Sequence, residues 1–185
     1  MEKKKIGILV GSLRRDSFSK RIASHLAGLL ADQFDAKILD IGNLSMYNQD
    51  LDTETATPQA WTDFRQEVKA LDGVLFVTPE YNRSIPAVLK NALDIASRPY
   101  GKNAWNDKPG AVVSISPGVL GGFGVNHHLR QTATCLNIHL MGQPEAYIGN
   151  VATTTNSTGI TDENLKKFLQ TFANAFAEWV NRLAR

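Results

Sequence analysis

Residues Ile6-Gly-Ile-Leu-Val10 run directly into Gly11-Ser-Leu-Arg-Arg-Asp-Ser-Phe-Ser19, and from Ser17 a longer stretch reaches Ala31. The first run is apolar without polar alternation, the pattern of a strand buried on both faces. In the last, Ile22, Leu26, Leu29 and Leu30 fall on one side of a helix. Gly11 lets the chain leave the strand sharply. The stretch therefore reads as a βα unit.

The same unit recurs outward along the chain. Strand-like runs return at Lys37–Ile41, Val74–Thr78 and Ala111–Ile115, with a weaker one near Ile138–Met141 that can continue to Ile148. Helical patterns lie between them at Ser17–Ala31, Gln59–Leu71, Pro86–Ser97 and Asn126–Leu136. A long last helix carries Leu165, Phe168, Leu169, Phe172, Phe176, Trp179, Val180 and Leu183, with Thr161 as its expected N-cap. Five βα units in series predict an α/β fold, a flavodoxin-like doubly wound five-stranded parallel sheet in three layers, with residues 1–185 as one domain. Ligands of such sheets bind beyond the carboxyl ends of the strands. That directs attention to the loops after Val10, Thr78 and Ile115.

Composition narrows the function classes. Hydrophobic residues at 43% and charged residues at 21% suit a globular chain, and the net charge of +2 is spread along it. The Lys3–Lys5 cluster reads as a solvated tail and not a nucleic-acid patch. No run approaches the length of a membrane span, and the first residues lack a signal-peptide layout. Cys135 is the sole cysteine, which points to a reducing, cytoplasmic setting, and its apolar helical surroundings predict a buried thiol.

In the first loop Ser12, Ser17 and Ser19 carry hydroxyl donors, and Arg14 or Arg15 adds a charged one. With the free amides of a helix start, these can ring a compact dianion; Ser17 can equally act as a helix cap alone. The loop has neither a Gly-Lys-Ser/Thr ending nor G-x-G-x-x-G. A terminal phosphomonoester therefore fits it better than a bridging pyrophosphate, which favours a mononucleotide such as FMN. The second loop, Thr78-Pro-Glu-Tyr-Asn-Arg-Ser84, can offer successive amides to a flat heterocycle, or be an ordinary turn capped by Asn82 or Ser84. The third, Ser116-Pro-Gly-Val-Leu-Gly-Gly-Phe-Gly124, has four glycines in nine residues, implying close backbone approach or a mobile flap.

Three motifs, Gly11-Ser-Leu-Arg-x-x-Ser-Phe, Thr78-Pro-Glu-Tyr-Asn82 continuing to Leu89-Lys-Asn-Ala-Leu-Asp94, and Gly118 with Gly121-Gly122, resemble the NADPH-dependent FMN reductase family over nearly the whole chain. The resemblance implies that Ser12, Arg14, Ser17 and Ser19 hold the FMN phosphate, with Gly11, Leu13 and Phe18 in the same loop. It implies that Pro79, Glu80, Tyr81 and Asn82 line the isoalloxazine, and that Ser116 and Gly118 approach its other side. The implied activity is NAD(P)H oxidation with ping-pong hydride transfer through flavin N5 to a small acceptor: a quinone, flavin, azo compound or chromate-like oxyanion. Relatives of this kind also imply a homodimer or homotetramer. The chain departs from the family at Ser19, where many relatives carry asparagine, and at Arg83, where close ones have an aromatic residue. It departs again at Gly124, where an arginine often stands in the subunit contact.

The cofactor carries such chemistry, so no catalytic side chain is required, and Tyr81 is expected only to shape the substrate side. A flavodoxin-type electron carrier is the rival reading, although such carriers tend to be strongly acidic. His127, His128, Cys135 and His139 have no zinc spacing, so no metal is expected. Asp50, Asp52 and Glu54 read as solvated acids in a long segment from Gly42 to Pro58, where Met46 and Tyr47 could cover a ligand or meet a second subunit. Val151–Gly159 reads as a mobile surface loop. Val88, Leu89, Leu93, Leu129 and Leu136 exceed what one sheet face is expected to cover, which favours association.

Overall fold

The computed structural model describes residues 2–184. Strands β1 (Lys4–Val10), β2 (Phe34–Ile38), β3 (Gly73–Pro79), β4 (Pro109–Ile115) and β5 (His139–Leu140) form a parallel sheet in the order β2-β1-β3-β4-β5. A short β6 (Ala146–Ile148) also pairs with β4, further along it, so the fifth position is filled by two pieces. The expected continuation from Met141 towards Ile148 is thus present but interrupted.

Residue alternation assigns the two faces. Ile6, Ile8, Val10, Leu75 and Val77 join α1 (Phe18–Leu30) and α6 (Glu163–Leu183) in one core. Leu9, Val74, Phe76 and Val112 point the other way, to α2 (Gln59–Lys69), α3 (Ala87–Ala96) and α4 (Phe123–Cys135). The expected three-layer doubly wound architecture is therefore observed. No helix among the described residues is long and apolar enough to cross a membrane.

Several local expectations are corrected. β2 begins three residues before the expected Lys37, and Leu39 keeps one further bond to Ile8 O (3.0 Å) before the chain turns away. Beyond it Leu39 and Ile41 are buried by packing with α2 and α3, while Asp40 between them is exposed. α6 is capped by Asp162, whose carboxylate accepts from Leu165 N at 2.7 Å; Thr161 lies one residue too early to reach that amide. Cys135 is exposed, because α4 buries Val125, Asn126, Leu129 and Ala133 and position 135 falls on the opposite side. Leu89, Leu93 and Leu129 are fully covered within the chain, and Val88 and Leu136 partly, so these five residues form no surplus apolar face. Residues 151–159 are not a plain loop: they form α5 (Val151–Thr154) and, with residue 160, a hairpin of β7 (Thr155–Asn156) and β8 (Gly159–Ile160). The hairpin turn is tied by Asn156 Oδ1, which accepts from Thr158 N and Gly159 N.

The segment from 42 to 58 is strapped to α2 and α3. Asn91 accepts from Tyr47 N (2.8 Å) and donates to Leu44 O and Ser45 O, while Trp61 Nε1 donates to Ser45 O. Asp52 is not a solvated acid: its side chain is 4% exposed and pairs with Arg65 at 2.8 Å. Asp50 and Glu54 remain exposed, as expected.

Candidate functional site

The loops after β1, β3 and β4 converge at the carboxyl edge of the sheet around a cleft of about 180 Å³. From the first loop it is lined by Ser12, Arg14, Ser17, Phe18 and Ser19, and from the second by Pro79, Glu80 and Tyr81. Ile115 and Pro117 line it from the third, and Val151 closes it from the start of α5.

The first loop is held by a bond from Gly11 N to Val77 O (3.0 Å), which keeps β1 and β3 together beyond their ladder. Ser12, Ser17 and Ser19 are all buried, at 8%, 3% and 1% exposure. Ser17 does cap α1, since its Oγ accepts from Lys20 N at 3.3 Å. That bond uses a lone pair and leaves the hydroxyl hydrogen uncommitted. Ser12 Oγ likewise only accepts, from Arg14 N at 3.4 Å, and Ser19 makes no side-chain bond among the described residues. Among the described residues the Arg14 guanidinium has no carboxylate partner. Three buried hydroxyl donors and one cation therefore face a cleft in which no described residue satisfies them. This donor set fits a phosphomonoester, and with it the phosphate of FMN. The cleft is small against an ordinary ligand pocket, so a ligand of FMN's size extends out over the second and third loops.

In the second loop Tyr81 and Ser84 exchange both backbone bonds, at 3.1 and 3.0 Å, across a turn with Asn82 and Arg83 at φ 51° and 67°. The Tyr81 amide is thereby committed, which corrects the expectation of successive free amides after Pro79. Those of Asn82 and Arg83, at the tip, make no backbone bond among the described residues. Tyr81 is 44% exposed, at the mouth.

Glu80 does more than line the cleft. Its Oε2 accepts from Val125 N at 3.0 Å in the first turn of α4, and Oε1 lies 3.7 Å from the Arg83 guanidinium. A carboxylate there satisfies one of the free amides of the helix start and meets its partial positive charge. Ser84 Oγ to His128 Nδ1, at 2.9 Å, is a second tie between the same elements. Gly124 is where they touch: a Cβ would lie 2.8 Å from Glu80 Oε2 and 2.9 Å from Arg83 O. The close approach of the second loop thus leaves no room for a side chain at position 124.

The third loop follows the close-approach reading, since a Cβ at Gly121 would meet the backbone of Tyr147 and Ile148. Ser116 N donates to Ile148 O and Ser116 Oγ accepts from Gly118 N, so these two residues shape the lip and do not line the cleft. Gly11, Leu13 and Asn82 also lie outside the lining; Leu13 is 62% exposed beside a neighbouring hollow with Ile38–Ile41. Val119, Leu120 and Phe123 stand exposed beyond the lip, and the Phe123 ring lies 4.2 Å from that of His127. Burial pushes the nearby Tyr147 hydroxyl up, and Glu145 adds to the shift. Tyr47 packs on Trp61, with ring centroids 5.4 Å apart, and does not cover the cleft; Met46 beside it is exposed. Sequence reasoning missed Val151, an apolar residue distant in the chain that carried no motif.

A family profile described as NADPH-dependent FMN reductase matches residues 4–153. A quinone reductase of Pseudomonas putida is 48% identical over 175 residues, covering 95% of this chain and 94% of that protein. A 2-hydroxy-1,4-benzoquinone reductase of a Burkholderia species is 47% identical over 177 residues, covering 95% and 96%. Among solved structures, a flavoenzyme NAD(P)H:(acceptor) oxidoreductase from Paracoccus denitrificans superposes with a TM-score of 0.91 at 38% identity, covering 98% of this chain and 100% of that one.

Proposed function

The chain belongs to the NADPH-dependent FMN reductase family, and we propose that it is an FMN-dependent NAD(P)H oxidoreductase that reduces small acceptors, quinones first. The observation that carries this reading is the set of buried, uncommitted donors of Ser12, Ser17, Ser19 and Arg14 in one cleft with Pro79–Tyr81. Those donors hold the phosphate. Pro79 and Tyr81 offer the ring system a wall, the tip amides of Asn82 and Arg83 face its polar edge, and Ser116 and Gly118 form the lip over which it extends. Bound there, FMN supplies hydride chemistry at N5 between a nicotinamide and an acceptor.

Glu80 acts by holding the second loop on α4, and Tyr81 by shaping the mouth. With one mouth, donor and acceptor enter in turn, which makes turnover ping-pong. Free flavins, azo compounds and chromate-like oxyanions are further acceptors of the same site. Residues 1–185 act as one FMN-binding domain in the cytoplasm, where the lone Cys135 stays reduced. The exposed Val119, Leu120 and Phe123 support a homodimer or homotetramer.

The test is direct. NADPH or NADH added without oxygen to the FMN-loaded protein bleaches the flavin absorbance, and benzoquinone restores it. Initial rates over a grid of both substrates give parallel double-reciprocal lines. A flavin that stays oxidised would establish the electron-carrier alternative, and intersecting lines would establish a ternary complex.

A further inference from the structure

A second, larger cavity of about 480 Å³ opens on the far side of Ser17, between the start of α1 and the β7–β8 hairpin. Arg15, Lys20 and Arg21 stand on its wall, with Asp16 as the single carboxylate. None of these three cations pairs with a carboxylate among the described residues. Arg21 is half-buried, with its guanidinium 5.3 Å from the centre of the Phe18 ring, so part of its ordering cost is already met. Ser24 and Ser157 add exposed hydroxyls with no partner among the described residues, whereas the Thr158 hydroxyl is committed to Asn156. Burial, and then the Lys166 ammonium, hold His25 below its ordinary range, which keeps it neutral near pH 7.

A cavity lined by unpaired cations and free hydroxyls selects a phosphomonoester. The cavity borders the flavin cleft at Ser17, so a dinucleotide laid over the bound FMN, with its reacting end at Tyr81, passes the FMN phosphate and has its far end here. NADPH differs from NADH by one such group, a dianion on the adenosine ribose. We propose that this cavity binds the adenosine 2′-phosphate of NADPH, with Lys20 and Arg21 as the residues that set dinucleotide preference. This rests on the reading that the flavin cleft oxidises a nicotinamide.

The variant Lys20→Gln with Arg21→Gln removes the charge, and Lys20→Arg with Arg21→Lys keeps it. Calorimetric titration of 2′,5′-ADP and 5′-AMP into the FMN-loaded protein reads the cavity without turnover. The wild type should bind 2′,5′-ADP roughly tenfold or more tighter than 5′-AMP, a ratio the neutral pair loses and the charge-preserving pair retains. KM for NADPH should rise by a similar factor in the neutral pair, while KM for NADH, kcat and FMN content stay within roughly twofold. Equal affinity of the wild type for the two nucleotides, or a KM change shared by NADPH and NADH, overturns the proposal. A wild type that oxidises neither dinucleotide overturns the reductase reading instead, and the titration then decides the cavity by itself.

Discussion

Ser17 serves two ends at once, and one substitution separates them. Its Oγ accepts from Lys20 N at 3.3 Å to cap α1, while its hydroxyl hydrogen is free towards the cleft. Aspartate is as good a cap as serine, so Ser17→Asp should leave unfolding free energy within about 0.5 kcal/mol of wild type. It also places a negative charge in a site proposed to hold a phosphate. At about 4 Å and an effective dielectric constant near 20, one pair of like unit charges repels by roughly 4 kcal/mol. That corresponds to roughly a thousandfold loss of FMN affinity. Riboflavin has no phosphate and should bind the variant nearly as it binds wild type. Ser17→Ala gives the converse: about 1 kcal/mol of stability lost with the cap, and a far smaller loss of FMN affinity. Flavin-fluorescence titrations with both ligands, beside urea unfolding, measure each of these quantities. Equal losses for FMN and riboflavin in Ser17→Asp, or unchanged FMN binding, would refute the phosphate assignment.

Gly124→Ala should displace the second loop from α4, because one of the atoms it strikes is the backbone oxygen of Arg83. A loss of roughly 1–3 kcal/mol in stability with weakened FMN binding is expected by denaturant titration, and wild-type values would show that the loop yields freely. Asp52→Ala leaves a buried arginine without its carboxylate and should cost about 3–5 kcal/mol, with faster proteolysis of residues 42–58. A smaller loss there would mean that Arg65 finds water. Light scattering behind a sizing column should give a dimer or tetramer, and Val119→Ser with Phe123→Ser should shift it towards monomer. A wild-type monomer that keeps full activity at nanomolar concentration defeats the association.

The fold was legible where burial dictates composition. Ile6–Val10, Val74–Thr78 and Ala111–Ile115 are central strands covered on both faces, and such positions tolerate little but apolar residues. Edges are less constrained, and there the reading slipped. β2 lies at one edge with a mixed pattern, and the apolar Ile38, Leu39 and Ile41 at and beyond its end make the strand read as starting later than it does. The fifth position is two short pieces, each too brief to show a period. The buried side of α4 is hard to tell from its sequence, because its amphipathic contrast is weak and Asn126 is buried among its apolar positions, so the pattern does not reveal that Cys135 is exposed. That asparagine is held by Ser114 Oγ and Ala146 O, partners that local sequence cannot reveal.

At the site, legibility follows how each residue acts. The serines of the first loop work as a group: repeated small donors before a helix announce an anion site before any contact is known, and the structure brings Ser12, Ser17 and Ser19 to one wall. Glu80 works through a single distant amide, that of Val125, and nothing near it in sequence distinguishes a helix cap from a lining residue. Gly124 is a harder case, since an absent side chain signals only once its neighbour is located 2.8 Å away. These two residues belong to one contact, in which the second loop and the start of α4 approach closely enough to share a hydrogen bond and exclude a methyl group. An arginine at position 124 could not coexist with that contact as built. A relative carrying one must therefore hold its second loop farther from the helix, and the width of the mouth at Tyr81 should differ between the two types.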